Sequence, residues 1–221
     1  MRLRNVKHAK ELIEKNSHIV IKKPNEYKGL WNKLFNNSNP VELEIGCGKG
    51  KFIVDKATLD KNINFIGIEK FDSVIVRGIE KLLEKPLDNV KLIRIDAENI
   101  ETIFKKSEVN TIYLNFSDPW PKNRHAKKRL TSKKYLDRYS NILVNNGEIR
   151  VKTDNYNLFE FSMMSFINHN KYIIEEINLD LYKNLPKDNV QTEFEMKFVE
   201  KGNRIYYLKA IYKGESHEKT V

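Results

Sequence analysis

The sequence predicts an α/β fold: a doubly wound, mainly parallel sheet with helices on both faces. Three observations predict it. Short apolar runs alternate with amphipathic stretches at helical spacing over most of the chain, the pattern of repeated βα units. A glycine-rich turn, Gly46-Cys-Gly-Lys-Gly50, follows the first such run. Glu69 and Asp96 close the second and third runs, and Asp118 follows the fourth. In open α/β sheets the chemistry lies at the carboxyl ends of the strands.

Residues 1–35 read as a basic helical arm with a short extended piece, and Val6, Ala9, Leu12 and Ile13 give it one apolar face. After Asn39-Pro40, residues 41–45 form a strand, followed by the glycine turn and a helix near 51–57. A second strand covers 63–68. Residues 72–84 are helical, with Val74, Ile75, Ile79, Leu82 and Leu83 on one face. A third strand covers 90–95, a short helix follows near 98–105, and a fourth strand covers 109–116. Residues 131–143 form a helix with Thr131 or Ser132 as N-cap. Asn146-Gly147 makes a turn into a strand at 148–152, and a helix follows at 157–167. The last strands cover 172–179 and 204–212, with fewer helices between them, so they supply an antiparallel edge. Without repeats or a Pro/Gly linker, residues 1–221 read as one domain, an arm at 1–38 and a core at 39–221.

The formal net charge is +10, which favours a polyanionic partner through counterion release and steering. A single cysteine, Cys47, excludes an internal disulfide and fits a reducing compartment. The first fifteen residues carry five Lys or Arg and no apolar stretch of a secretory signal. No apolar run approaches the ~18 residues of a membrane span. His125 has no second histidine or cysteine at ligand spacing, so no metal site is expected.

Glycines at a strand–helix junction let a backbone approach a ligand closely and expose helix N-terminal amides. Lys51 stands where the dinucleotide fingerprint needs its third glycine. The spacing from Glu44 through Gly46, Gly48 and Gly50 instead resembles the first motif of S-adenosylmethionine-dependent methyltransferases. Glu69, 19 residues after Gly50, is placed to accept hydrogen bonds from ribose hydroxyls. Asp96 can take an adenine amino group while Ala97 leaves room for the ring, or Asp96 can cap a helix. Together these acids frame a nucleoside.

Asp118-Pro119-Trp120-Pro121 is a turn stiffened by two prolines. It resembles the turn of enzymes that methylate planar nitrogens, and also suits a rigid surface turn over a packed Trp120. Eight Lys or Arg residues follow between Lys122 and Arg138, against one acid, Asp137. They read as a phosphate-tracking strip or as a solvated face. Asp154 is open to two roles, contact with a substrate base or a helix cap. Thr192-Glu-Phe-Glu195 fits a capping box, with Gly202 ending the helix.

These pieces, in order along nearly the whole chain, resemble the bacterial tRNA (guanine-N(7)-)-methyltransferase family. They are Glu44 to Gly50, Ile68-Glu69, Asp96-Ala97, Asn115-Phe-Ser-Asp-Pro-Trp-Pro-Lys122, the basic stretch, Lys152-Thr-Asp154 and Thr192 to Glu195. The resemblance implies a seven-stranded class I methyltransferase sheet ending in an antiparallel hairpin. It implies an S-adenosyl-L-methionine site at Glu44, Gly46, Gly48, Glu69, Asp96, Ala97 and Asp118, with Asp118 also catalytic. It implies substrate contacts at Lys122, Asp154, Thr192, Glu193, Phe194 and Glu195. RNA contacts are implied at Arg124, His125, Ala126, Lys127, Lys128 and Arg129. The expected partner is tRNA in the cytoplasm, with no membrane, for a monomer or homodimer. A non-catalytic RNA-binding protein on the same fold, and a methyltransferase for another RNA, a protein or a small amine, are the alternatives.

Overall fold

The computed structural model describes residues 8–214. Its seven strands form one mixed sheet in the order β3-β2-β1-β4-β5-β7-β6. The described residues divide into two compact units, 8–105 with 190–193, and 106–189 with 194–214.

In the first unit, β1 (Val41–Ile45), β2 (Asn64–Glu69) and β3 (Val90–Arg94) are parallel. Ile45 lies opposite Ile68, and Glu69 opposite Arg94, so the three carboxyl ends share one edge. β1 and β2 are buried along their whole length, as expected for parallel strands covered on both faces. Helices α3 (Lys51–Leu59) and α4 (Asp72–Glu84) turn Ile53, Val54, Ala57, Ile75, Ile79 and Leu82 into one core with Phe65, Val90 and Leu92. The limits of β1 and α4 match the sequence expectation. The expected helix after β3 is a 3-10 turn, Ala97–Thr102.

The expected arm is folded onto this unit where it is described. Leu12 and Ile13 of α1 (Ala9–Lys15) pack against the core, while Val6 lies outside the described residues. The extended piece is Ile19 to Ile21. Leu92 N–H donates to Ile19 O, and Ile21 N–H to Leu92 O. This short bridge covers the β3 edge, which removes an open pairing template. Beyond it, Trp31 at the start of α2 (Trp31–Phe35) is buried, and its indole N–H donates to Ile103 O at 3.0 Å.

In the second unit, β4 (Val109–Asn115) and β5 (Leu143–Thr153) are parallel, with Asn115 opposite Lys152. β7 (Tyr206–Tyr212) is antiparallel to both β5 and β6 (Tyr172–Asn178), which gives the expected antiparallel end. β5 starts earlier than the sequence suggests. β4 advances from Val109 to Thr111 while β5 advances from Leu143 to Glu148. The predicted Asn146-Gly147 turn is therefore a local excursion within one strand. A side chain on Gly147 would lie 2.9 Å from Val144 O and 3.1 Å from Asn110 O, so only glycine fits. Helix α5 is shorter than expected, Lys133–Ser140, with Ser132 in the cap position. Its Oγ donates to Lys127 O instead of capping. Helix α6 (Tyr156–Ile167) is capped by Asn155, whose Oδ1 accepts from Leu158 N–H at 2.8 Å.

Candidate functional site

The glycine turn is fixed at its base and open at its tip. Gly46 and Cys47 N–H both donate to Ile68 O, extending the β1–β2 ladder. Gly46 and Gly48 have φ of 78° and 57°, in the left-handed region that glycine adopts without steric cost. A side chain at Gly46 would meet nothing within 4 Å, and one at Gly48 only Gly46 O at 4.0 Å. The backbone is therefore approachable from outside. α3 starts directly after this turn.

Three acids gather at this edge. Glu44 is buried on β1. Its Oε2 atom receives no hydrogen bond among the described residues, although the residue makes other interactions. Glu69 closes β2 and fastens the turn: Oε2 accepts from Gly48 N–H at 3.1 Å. Its Oε1 accepts from the N–H groups of Lys70 and Phe71 at 2.8 and 3.0 Å. Asp96 caps the 3-10 turn through Glu98 N–H at 3.0 Å, and Lys70 Nζ sits 2.7 Å from its other oxygen. The capping reading of Asp96 is thus realised, with Ala97 starting the turn beside it. Burial, reinforced by the charges of Glu44 and Glu69, pushes the Cys47 thiol well up, which leaves it neutral and unreactive.

In the second unit, Asp118 is exposed just beyond β4. Phe116 and Trp120, on either side of it, have φ of 50° and 42°. Non-glycine residues in this region cluster at functional sites, where surrounding contacts hold them. Trp120 is half-buried, not a core residue. His125 meets its ring edge-on, and Lys128 Nζ lies 4.7 Å from the ring centre. Lys122, Arg124, Lys127 and Lys128 are exposed, and Ala126 is half-buried in the 3-10 turn Asn123–Lys128. Arg129 departs from the expected strip: it is only 9 % exposed. Asp154 follows β5 at the same sheet edge as the turn after β4, and with Asn155 as the α6 cap, the helix-cap role falls away from it.

The segment Thr192 to Glu195 is less uniform than the sequence implied. Thr192 is buried. Glu193 meets Lys49 of the glycine turn at 3.0 Å and Lys81 of α4 at 3.6 Å. Burial alone would raise its carboxyl, but the two lysines hold it below the ordinary range. Phe194 is 56 % exposed and stacks on Phe198, which stacks in turn on Phe116. Glu195 is fully enclosed, at 0 % exposure. Its Oε2 accepts from Lys152 Nζ at 3.0 Å. Its Oε1 accepts from Tyr182 Oη and Asn189 Nδ2 at 3.0 and 3.1 Å. Glu195 thus makes an internal ion pair that ties α7 (Glu193–Glu200) to β5.

Sequence reasoning missed Lys152, Tyr182 and Asn189 as its partners. The available signal was a lysine within the strand run Ile149-Arg-Val-Lys-Thr153, since a buried lysine needs a counter-charge. Among the described residues no group of three or more His, Cys, Asp or Glu is placed to hold a metal ion. No helix among them is long and apolar enough to cross a membrane.

A family model described as "Putative methyltransferase" matches residues 38–208. The tRNA (guanine-N(7)-)-methyltransferase of Bacillus cytotoxicus is 47 % identical over 215 residues, covering 97 % of this chain and 99 % of that protein. Among solved structures, the 16S rRNA methyltransferase KamB superposes with a TM-score of 0.61 at 12 % identity, over 84 % of this chain and 93 % of its own. A geranyl diphosphate C-methyltransferase from Streptomyces coelicolor A3(2), in complex with Mg2+, geranyl-S-thiolodiphosphate and S-adenosyl-L-homocysteine, gives 0.55 at 16 % identity, over 79 % and 70 %. At those identities the structures speak for the fold alone. The near full-length relationship and the family match go further: the chain belongs to the tRNA (guanine-N(7)-)-methyltransferase family.

Proposed function

We propose that this chain methylates guanine at ring position 7 in the variable loop of tRNA, using S-adenosyl-L-methionine. The observation that carries this reading is the 47 % identity over 97 % of the chain to a tRNA (guanine-N(7)-)-methyltransferase. The geometry supports it. An open glycine turn beside the Glu69 and Asp96 carboxylates suits a nucleoside-bearing group, and Lys51 stands where a pyrophosphate-binding fingerprint needs its third glycine.

When bound, S-adenosyl-L-methionine supplies an electrophilic methyl group on a sulfonium. Glu69, already oriented by three amides, accepts ribose hydroxyls in addition. Asp96 takes the adenine amino group, with Ala97 leaving room for the ring. Nitrogen 7 of guanine carries an in-plane lone pair and no proton, so the protein needs no strong general base. Its work is alignment and field. Guanine gains positive charge during the transfer, and Asp118 stabilises that charge and holds the N–H edge of the base. Asp154 shares the second task. Lys122 and the exposed strip engage phosphate and offset the few kcal/mol needed to displace a stacked base.

The direct test is methyl transfer from labelled S-adenosyl-L-methionine to an unmodified tRNA transcript and to one with adenine at the variable-loop guanine. Incorporation is expected in the first only. Incorporation into neither, with the cofactor bound, would move the substrate to another RNA, a protein or a small amine.

The strip has its own test. Replacing Arg124 and Lys127 together with alanine is expected to weaken tRNA binding and flatten its salt dependence, by about 0.7–0.9 in logarithmic slope per lost phosphate contact. Lys128 is left in place because it also lies over Trp120. An unchanged slope in a filter-binding titration would make these two cations a solvated face.

A further inference from the structure

We propose that Arg129 is a positioning residue that fixes the Asp118 turn from inside, and not a contact to RNA phosphate. The inference rests on Asp118 acting on the reacting base.

The turn needs an external support. Pro119 and Pro121 have no backbone N–H, so neither can close it by an amide bond. Phe116 and Trp120 hold left-handed φ values, which persist only where surroundings over-determine them. Arg129 supplies the missing donors. Its Nε donates to Pro119 O at 3.0 Å and its Nη2 to Trp120 O at 3.1 Å. Two adjacent carbonyls on one planar fork fix a peptide in position and orientation, which a single lysine ammonium cannot do. The guanidinium also sits over the ring of Phe161 of α6, its Cζ 4.3 Å from the ring centre, where cation–π attraction compensates its desolvation.

Its own backbone is anchored on both sides. Arg129 N–H donates to Ala126 O, and Arg129 O accepts from Ser132 N–H at the start of α5. The strip from Lys122 to Lys128 is therefore a loop pinned at both ends, at the turn and at Arg129. Phosphate engagement on that loop is mechanically continuous with the backbone that carries Asp118. In the sequence Arg129 is indistinguishable from the cations before it. Burial separates it from Lys127 and Lys128, which are exposed.

The test is Arg129→Lys, which keeps the charge and loses the fork. Turnover at saturating tRNA and S-adenosyl-L-methionine is expected to fall about 100-fold, the effect of a misplacement near 1 Å. The tRNA dissociation constant and its salt slope are expected to stay as in the wild type. Retained turnover with weaker, less salt-dependent tRNA binding would overturn the proposal and return Arg129 to the phosphate strip.

If Arg129→Lys fails to fold, the wild-type protein answers the question through arginine-selective dicarbonyl labelling read by mass spectrometry. Arg124 is expected to react and to be shielded by tRNA, while Arg129 reacts slowly with or without tRNA. Labelling of Arg129 as fast as Arg124, with shielding by tRNA, would overturn the proposal. Failure of the reaction assignment reads differently: the wild-type protein itself would leave tRNA unmethylated, while labelling of the free protein would still report whether Arg129 is enclosed.

Discussion

Replacing Asp118 with alanine is expected to reduce methyl transfer by at least about 100–1000-fold, the usual effect of removing one preorganised electrostatic stabiliser. The reason is where charge appears. Nitrogen 7 starts neutral and ends in a cationic ring, so an oriented carboxylate acts more strongly on the transition state than on the bound base. Asp118 is exposed, and the bonds that hold its turn run from Arg129 to the carbonyls of Pro119 and Trp120. Removing its side chain should therefore leave the turn and most tRNA affinity intact. Single-turnover transfer of labelled methyl, alongside tRNA binding, separates the two effects. Asp118→Asn keeps the shape and a hydrogen-bonding oxygen but not the charge. If it matches alanine, the charge is what matters. If Asp118→Ala turns over near the wild-type rate, the residue has no catalytic role.

The parts of this protein most legible in its sequence are those set by short-range pattern. β1 and α4 are recovered to the residue because apolar periodicity and flanking turn residues define them. Glu69 and Asp96 were legible as strand-end acids, since a parallel strand read correctly places its next residue at the carboxyl edge. What stayed hidden depends on long-range packing. Nothing in Ile19-Val-Ile21 says that it pairs with β3, because the partner is some seventy residues away. Asn146-Gly147 reads as a turn that ends a strand, yet the ladder to β4 resumes beyond it. A run of cations gives net charge without saying which member faces inward, as Arg129 does. Glu195 presents the same difficulty. Its capping-box spacing is local, but its complete burial depends on Lys152, Tyr182 and Asn189 from three other segments.

That buried cluster carries the largest expected effect on stability. Lys152 and Glu195 form an ion pair with side chains at 9 % and 0 % exposure. Removing one partner strands a desolvated charge, which costs about 3–5 kcal/mol. Lys152→Met is expected to lower unfolding free energy by about that amount, since the Glu195 carboxylate would lose its counter-charge, with Tyr182 and Asn189 still donating to Oε1 as neutral groups. The double replacement Lys152→Met with Glu195→Gln removes both charges and keeps an acceptor for Tyr182. It should recover a substantial part of the loss, because a buried pair replaced by neutral groups is often nearly neutral overall. Urea denaturation of the wild type, both single variants and the double variant measures the coupling directly. Losses that simply add would show that the two charges act independently. The cluster also bears on function, because it fastens β5, which leads into Asp154, to α7, whose first turn presents exposed Phe194. Variants that lose the pair should therefore lose tRNA affinity along with stability, and the double variant should regain both together.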